Sequence, residues 1–404
     1  MYDIIIIGSG ISGLYSAYKI KKYYPNKTFL ILEKNNYIGG RMGNYNFYGS
    51  NIVTGAGIGR KKKDILLLNL LKKLNIKVNY FNVMKTYSKN IKPVNLKKII
   101  LFLKKIYIKN KKKYKSYNFK KFASHFLGTK LYNSFLKTSG YIDFEKEDVY
   151  ETLYKYGIDD NTNGWIGVSV PWNDLLKKLI DFISKKNIKL NQYVNKIINH
   201  NNYYNIQLNN NIKYKCKKII IASTIDTVKK LLPKHSIYNQ IKGQTFLRLY
   251  GKFTGCSIEI MKNLIPYQTN LNNHLQKIIP INKDKGIYMI SYSDNKNAIF
   301  YKNKLKNNEK NRKYFCNELE KEFSLLPNTL HLKKIKAFYW NIGTHYYTPL
   351  KKIYKNRNDF IKKAQNPEKN IIVVGEMISR NQGWTEGALE SVNNALNKNF
   401  ILKK

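Results

Sequence analysis

The chain has 404 residues, long enough for roughly two or three domains or one two-domain enzyme. Its 33 Tyr, 18 Phe and 4 Trp exclude a wholly disordered protein, and no uncharged apolar run reaches the ~18 residues that a membrane-spanning helix needs. Basic residues outnumber acidic ones 73 to 25, a net charge of +48, while Cys216, Cys256 and Cys316 lie too far apart for a disulfide framework or a metal cluster.

In chain order, Asp3–Ile7 is a continuous apolar run, the pattern of a strand buried on both faces. It starts so near Met1 that no signal or transit peptide fits, which predicts a cytoplasmic protein, or a virion component if the origin is viral. Helical spacing follows over Ile11–Lys21, Pro25 and Asn26 stop it, and Thr28–Leu32 is a second strand, completing a βαβ opening. Val94–Ile108 carries an apolar stripe at 96, 99, 100, 103 and 106 with Lys97, Lys98, Lys104 and Lys105 set among it. This is either a surface helix with a solvated basic face or a helix that meets a membrane or nucleic acid. Lys109–Lys121 reads as a Lys/Tyr-rich loop. Strands return at Ile188–Leu190, Val194–Ile198 and Tyr203–Leu208, then a hairpin at 209–211 leads to Ile212–Tyr214, with a buried strand at Lys218–Ala222. Residues 245–350 mix strands with a helix near 308–323, Asn370–Val374 is the last buried strand, and a helix runs from Glu386 to Asn397.

Gly8-Ser9-Gly10-Ile11-Ser12-Gly13 is a G-x-G-x-x-G between the first strand and its helix. Gly8 permits the tight turn, Gly10 lets the backbone approach a pyrophosphate and Gly13 lets helix and sheet pack closely. The helix N-terminus then turns its amides toward the phosphates. Glu33 ends the second strand 20 residues beyond Gly13, where a carboxylate accepts hydrogen bonds from a ribose. No Ser/His/Asp triad, zinc spacing or P-loop competes with this dinucleotide signature.

Gly39-Gly40-Arg41-Met42 adds a second glycine pair and a cation, which favours an extended FAD over NAD. The run Glu33 to Arg41, together with Gly375-Glu376 and Gln382-Gly383-Trp384-Thr385-Glu386-Gly387-Ala388, resembles the flavin-containing amine oxidase family. That family includes monoamine and polyamine oxidases, amino-acid oxidases, protoporphyrinogen oxidase and phytoene desaturases. The resemblance is strong over 1–75 and 370–398, fair over 188–225 and weak between.

The resemblance implies an α/β fold with a Rossmann-like FAD-binding domain assembled from three chain segments, 1–80, 188–243 and 366–404. A substrate domain of α+β type is inserted, its helical lysine-rich part at 81–187 and its β-rich part at 244–365. It also implies that Gly8, Ser9, Gly10, Ser12 and Gly13 hold the pyrophosphate, Glu33 and Lys34 the adenosine side, and Gly40 and Arg41 the phosphate or flavin side. Gly55, Ala56, Gly57 and Ile58 would line the flavin, Val194 would pair with adenine through its backbone, and Gly375 and Glu376 would hold the ribityl chain or phosphate. Trp384 and Thr385 would face the flavin ring, with the helix behind them stabilising negative charge on the reduced ring.

Two departures bear on catalysis. Many relatives carry a Lys on a middle strand that holds a water near flavin N5, and Arg248 in Phe246-Leu247-Arg248-Leu249-Tyr250 stands at that place. Arg keeps its charge at every working pH and does not exchange protons as a lysine does. The stretch Trp340 to Pro349, where some members attach flavin through a Cys, has none, so FAD is expected to be noncovalent. Trp384 with Tyr346 or His345 would form the aromatic walls of the substrate site, and Arg60 is available to bind a substrate carboxylate or belongs to the solvated run Arg60-Lys61-Lys62-Lys63.

The expected activity is hydride transfer from the C–N bond of an amine or amino acid to flavin N5, with no metal. Two other readings stay open: a same-fold desaturase or isomerase of an apolar substrate, and a flavoprotein-fold nucleic-acid-binding or packaging protein without turnover. The charge bears on both. Only six basic residues are Arg, and 65–142 holds 19 Lys and no acidic residue. Such a surface attracts nucleic acid and other polyanions without reading sequence, and repels polycations at long range.

Overall fold

A computed structural model describes residues 1–158 and 164–402. Its first sheet has Tyr2–Ile7 near the centre, in parallel register with Phe29–Leu32 on one side and Lys213–Ile221 on the other. Ile188–Lys189 extends one edge, and Ile371–Val373 pairs in parallel with the far half of Lys213–Ile221. The near half of that strand pairs with Tyr203–Leu208, which pairs with Val194–His200, both antiparallel.

The all-apolar strands follow from a sheet covered on both sides. Ile4, Ile6, Ile31, Ile220 and Ile372 point into one core, whereas Ile5, Ile7, Leu30, Leu32, Ile219, Ile221 and Val373 point into the other. The period of two thus divides one run between two cores. Helix Ile11–Tyr23 covers the first face and packs on Thr385–Ala395 and Trp172–Ile183.

A second sheet is built on the long antiparallel pair Ile241–Phe253 and Leu332–Tyr347, continued by Ile287–Asp294, Lys277–Asn282, Gln268–Asn270 and Lys85–Tyr87. Tyr347 at the end of this ribbon packs in the first sheet's second core, so the long pair reaches from one sheet to the other. Helices Leu96–Lys109, Phe119–Ser139 and Val149–Tyr154 surround a third, aromatic-rich core of Leu103, Tyr107, Phe119, Phe122, Phe135 and Phe144.

Two local expectations are corrected. Lys109–Lys121 is not a loop: Lys111–Tyr114 is a helical turn, and Phe119–Ser139 starts inside the segment. Tyr114, packed on Tyr117, Phe122 and Phe126, pins the turn while its lysines stay in solvent. The two strands expected around residue 216 are one continuous strand, Lys213–Ile221, because it changes partners partway along rather than ending.

Candidate functional site

The glycine turn closes as its spacing requires. Gly8 has φ +106°, and a Cβ there would stand 2.4 Å from the Ala222 carbonyl oxygen. A Cβ on Gly13 would stand 2.0 Å from the Gly8 carbonyl oxygen, whereas one on Gly10 would meet nothing within 4 Å. The second glycine therefore faces open space and the other two face backbone. Across that space lies Gly40, 3.4 Å from the Gly10 Cα when given a Cβ, and the Gly39 amide donates to the Ser9 carbonyl at 3.1 Å.

Glu33 is buried beside the turn. Its Oε2 accepts from the Ser9 amide at 2.9 Å and the Ser9 hydroxyl at 2.8 Å, and its Oε1 from the Asn35 amide at 2.9 Å. Lys34 is exposed, and Val194 is buried at the start of its strand. No side chain caps helix Ile11–Tyr23 at Gly10, nor helix Thr385–Ala395 at Trp384. These two packed helices therefore both keep first-turn amides available to an anion, the arrangement a dinucleotide's phosphates and a reduced flavin ring call for. Ser12 of the first helix reaches the Ala388 carbonyl of the second at 3.5 Å.

Glu376, Arg41 and His345 form the next layer. The Arg41 guanidinium donates to Glu376 Oε1 at 2.9 Å and to the Gly343 carbonyl at 2.7 Å. Glu376 Oε2 accepts from the Gly383 amide at 2.9 Å, which fixes the loop just before Trp384. The Ile225 amide donates to His345 Nε2 at 3.2 Å, so the ring proton sits on Nδ1 and is donated to Glu376. Burial works to raise the Glu376 carboxyl, but His345, Arg41 and the Gly383 amide outweigh it and hold it down at about 2. His345 is thus buried with both nitrogens engaged, and it borders the same recess as Tyr346.

The segment 53–57 is gripped by aromatic donors. Tyr250 donates to the Val53 carbonyl at 2.7 Å, Trp340 to Thr54 at 2.9 Å and Trp172 to Gly57 at 3.0 Å. The Ala56 amide donates to the Arg41 carbonyl at 2.8 Å, and Ile58 is partly exposed. Gly57 leaves room for Arg248, whose Nη2 would lie 3.1 Å from a Cβ placed there. Arg248 is buried, stacks on the Tyr292 ring at 4.3 Å and reaches Met289 Sδ at 3.7 Å. Among the described residues no carboxylate pairs with it, which departs from an ion-paired strand residue.

Behind Tyr292 lies a group that the sequence reading missed. Lys277 is fully buried, has no hydrogen-bond partner among the described residues, and places its Nζ 2.8 Å from the Tyr141 ring centroid and 4.4 Å from that of Tyr292. Burial drives its pKa well below the ordinary lysine value, opposed by Asp294 and Asp143 and assisted by Lys85 and Arg248. Asp294 is pushed up by burial and by Asp143, and it accepts from the Ile142 amide and the Gln276 side chain at 3.3 and 3.2 Å. Burial also pushes Asp143 up to about 6, despite the hydrogen bond it accepts from Tyr156. One lysine in 67 carries no mark of its own in the sequence; the available signal was its place at the head of the apolar run Lys277-Ile278-Ile279.

Trp384 is half-buried, edge-on to Trp172 at 6.1 Å, and donates to Asp64 Oδ2 at 2.8 Å. The same buried Asp64 accepts from the Arg60 amide at 2.6 Å and its guanidinium at 2.9 Å. Arg60 is therefore held by Asp64 of its own chain. Glu386 accepts from the Leu66 and Leu67 amides at 2.8 and 3.0 Å, capping helix Ile65–Lys73. Tyr346 is partly buried and lines a recess with His345, Tyr156 and Gly383, the acidic Asp143, Glu147 and Glu151, and the basic Lys155 and Arg380. Thr385 is buried, and Gly375, at φ +143°, leads into Glu376.

Residues 6–73 match the family of NAD(P)-binding Rossmann-like domains. An uncharacterized protein of Acanthamoeba polyphaga mimivirus is 23% identical over 98% of this chain and 94% of its own length. Among solved structures, a double mutant of putrescine oxidase redesigned in its cofactor binding superposes with a TM-score of 0.74, at 12% identity, over 98% of each chain. The chain therefore has an α/β fold that contains a Rossmann-like domain, and it shares the overall fold of that solved structure along its whole length.

Proposed function

We propose that the protein is an FAD-dependent oxidoreductase that oxidises the C–N bond of an amine or amino acid. The observation that carries this reading is the meeting of two uncapped helix N-termini beside the open face of Gly10, with buried Glu33 at the end of the neighbouring strand. Gly8, Ser9, Gly10, Ser12 and Gly13 would hold the pyrophosphate, Glu33 and Lys34 the adenosine ribose, and the Val194 backbone the adenine. Gly40, Arg41, Gly375 and Glu376 would hold the ribityl and phosphate side, while Gly55, Ala56, Gly57, Ile58, Trp384 and Thr385 would border the ring. No cysteine lies in the 340–349 stretch, in keeping with a noncovalent cofactor.

When bound, FAD supplies a hydride acceptor. The chain's part is to place the substrate, exclude water and manage charge. Arg248, against Gly57, offers a fixed positive charge where negative charge would accumulate, and it takes up no proton. An amine gives up hydride as the free base, so an ammonium must first lose a proton. Tyr346 and Trp384 would bound the substrate. The recess beside Tyr346 brings Asp143, Glu147 and Glu151 together with Lys155 and Arg380, so its own charge is close to balanced within a molecule of net +48.

Anaerobic mixing of the FAD-loaded protein with amines, amino acids and polyamines tests the reading. Bleaching of the flavin band by one of these classes is the expected outcome. A protein that neither carries nor takes up FAD would refute the flavin assignment. A loaded protein that no member of the panel bleaches would refute amine oxidation alone.

A further inference from the structure

Helix Leu96–Lys109 buries Leu96, Ile100, Leu103 and Tyr107 in the helical core. Its opposite face is unusual. Leu101 is 50% exposed, Phe102 46% and Ile108 67%. At about 100° per residue, Leu101 and Ile108, seven apart, lie on nearly one line along the helix. Lys97 and Lys104 flank that line on one side, with Lys98, Lys105 and Lys109 on the other. Lys97 and Lys98 occupy the first turn, where the helix dipole disfavours cations and where no acidic residue stands. The lysine-bearing turn Lys111–Tyr114 continues from the helix, and residues 65–142 contain no acidic residue at all.

We propose that this face docks onto an anionic lipid bilayer, with Leu101 and Ile108 entering the interface, Phe102 adding to it from beyond the row of Lys98, Lys105 and Lys109, and the lysines meeting the headgroups. An apolar line between two rows of lysine suits a surface whose charge lies outside and whose hydrocarbon lies within. Nucleic acid gains nothing from exposed Leu and Ile, since its phosphates are met by charge alone. A second copy is disfavoured too. Three side chains fall far short of the ~800 Å² per partner of a stable interface, and the contact would bring lysine against lysine. The inference does not depend on the flavin reading.

The test is flotation of the full-length protein with vesicles of phosphatidylcholine alone, or of phosphatidylcholine with a minority of phosphatidylserine. The protein is expected to float with the second and not the first. The double variant Leu101→Gln/Ile108→Gln, altered only at exposed positions, should bind phosphatidylserine vesicles at least about tenfold more weakly, with an unchanged melting temperature. Its electrophoretic shift of duplex DNA should be unaltered. Wild-type protein that ignores phosphatidylserine vesicles at low salt would overturn the proposal, as would a double variant that binds them as well as wild type. Binding to DNA without binding to vesicles would also overturn it and return the lysines to a nucleic-acid role.

Discussion

Arg248 and Lys277 are buried basic side chains that share one neighbour, the Tyr292 ring. One keeps a charge at Gly57 and the other is a buried amine between two tyrosine rings. The place of Arg248 was legible because a motif surrounds it. That of Lys277 was not, because burial of one lysine among many follows from which strands pair, and pairing is not written locally. The pH dependence of stability gives Lys277 a signature. Its folded pKa lies below the unfolded one, so the unfolded chain binds the extra proton between the two values. Stability is full above the ordinary lysine pKa and declines as pH falls toward the folded value, by up to ~1.4 kcal/mol per pH unit. Lys277→Met should flatten this decline and raise the melting temperature near neutral pH. Thermal unfolding measured from pH 7 to 10 checks it, and equal slopes in the two proteins would contradict the assignment.

At the scale of elements, the opening βαβ unit was readable because its chemistry is local: an apolar run, three glycines at fixed spacing, a carboxylate at the next strand's end. The segment Lys109–Lys121 was misread because its lysines concealed two buried anchors, Tyr114 and Phe119. The glycine turn allows folding and binding to be separated. Gly10→Ala adds a methyl to empty space at an ordinary φ of −68°. It should leave the melting temperature of the cofactor-free protein unchanged and weaken FAD binding at least about tenfold, through contact with the pyrophosphate. Gly13→Ala drives its methyl into the Gly8 carbonyl and should destabilise the protein itself, by ~1–3 kcal/mol. Calorimetry with flavin fluorescence titration distinguishes the two; similar losses of stability would show that Gly10 does not face a ligand space.

For the whole molecule, the net charge and the charge of the recess differ. A +48 surface repels a dication on approach, whereas the acidic and basic groups around Tyr346 nearly cancel at close range. Added salt should therefore raise kcat/KM for a diamine by screening the approach and lower it for an anionic amino acid. Stopped-flow reduction across ionic strengths measures this, and identical salt slopes for both substrates would remove the long-range field from the account. Composition disclosed the magnitude of the charge. It could not disclose that Asp143, Glu147 and Glu151 meet Arg380 and Tyr346 at one recess, since only the packing of Val149–Tyr154 against the long ribbon's end does so.

The central sheet takes its strands from near both ends of the chain, with Ile371–Val373 and helix Thr385–Ala395 made last. A ribosome therefore holds most of the polypeptide in the open before the nest for the dinucleotide exists. Ile219–Ile221 waits meanwhile without one neighbour, a bare apolar edge whose closure is a slow, long-range event. Nascent chains arrested before residue 370 should consequently be chaperone clients, whatever the stability of the finished protein.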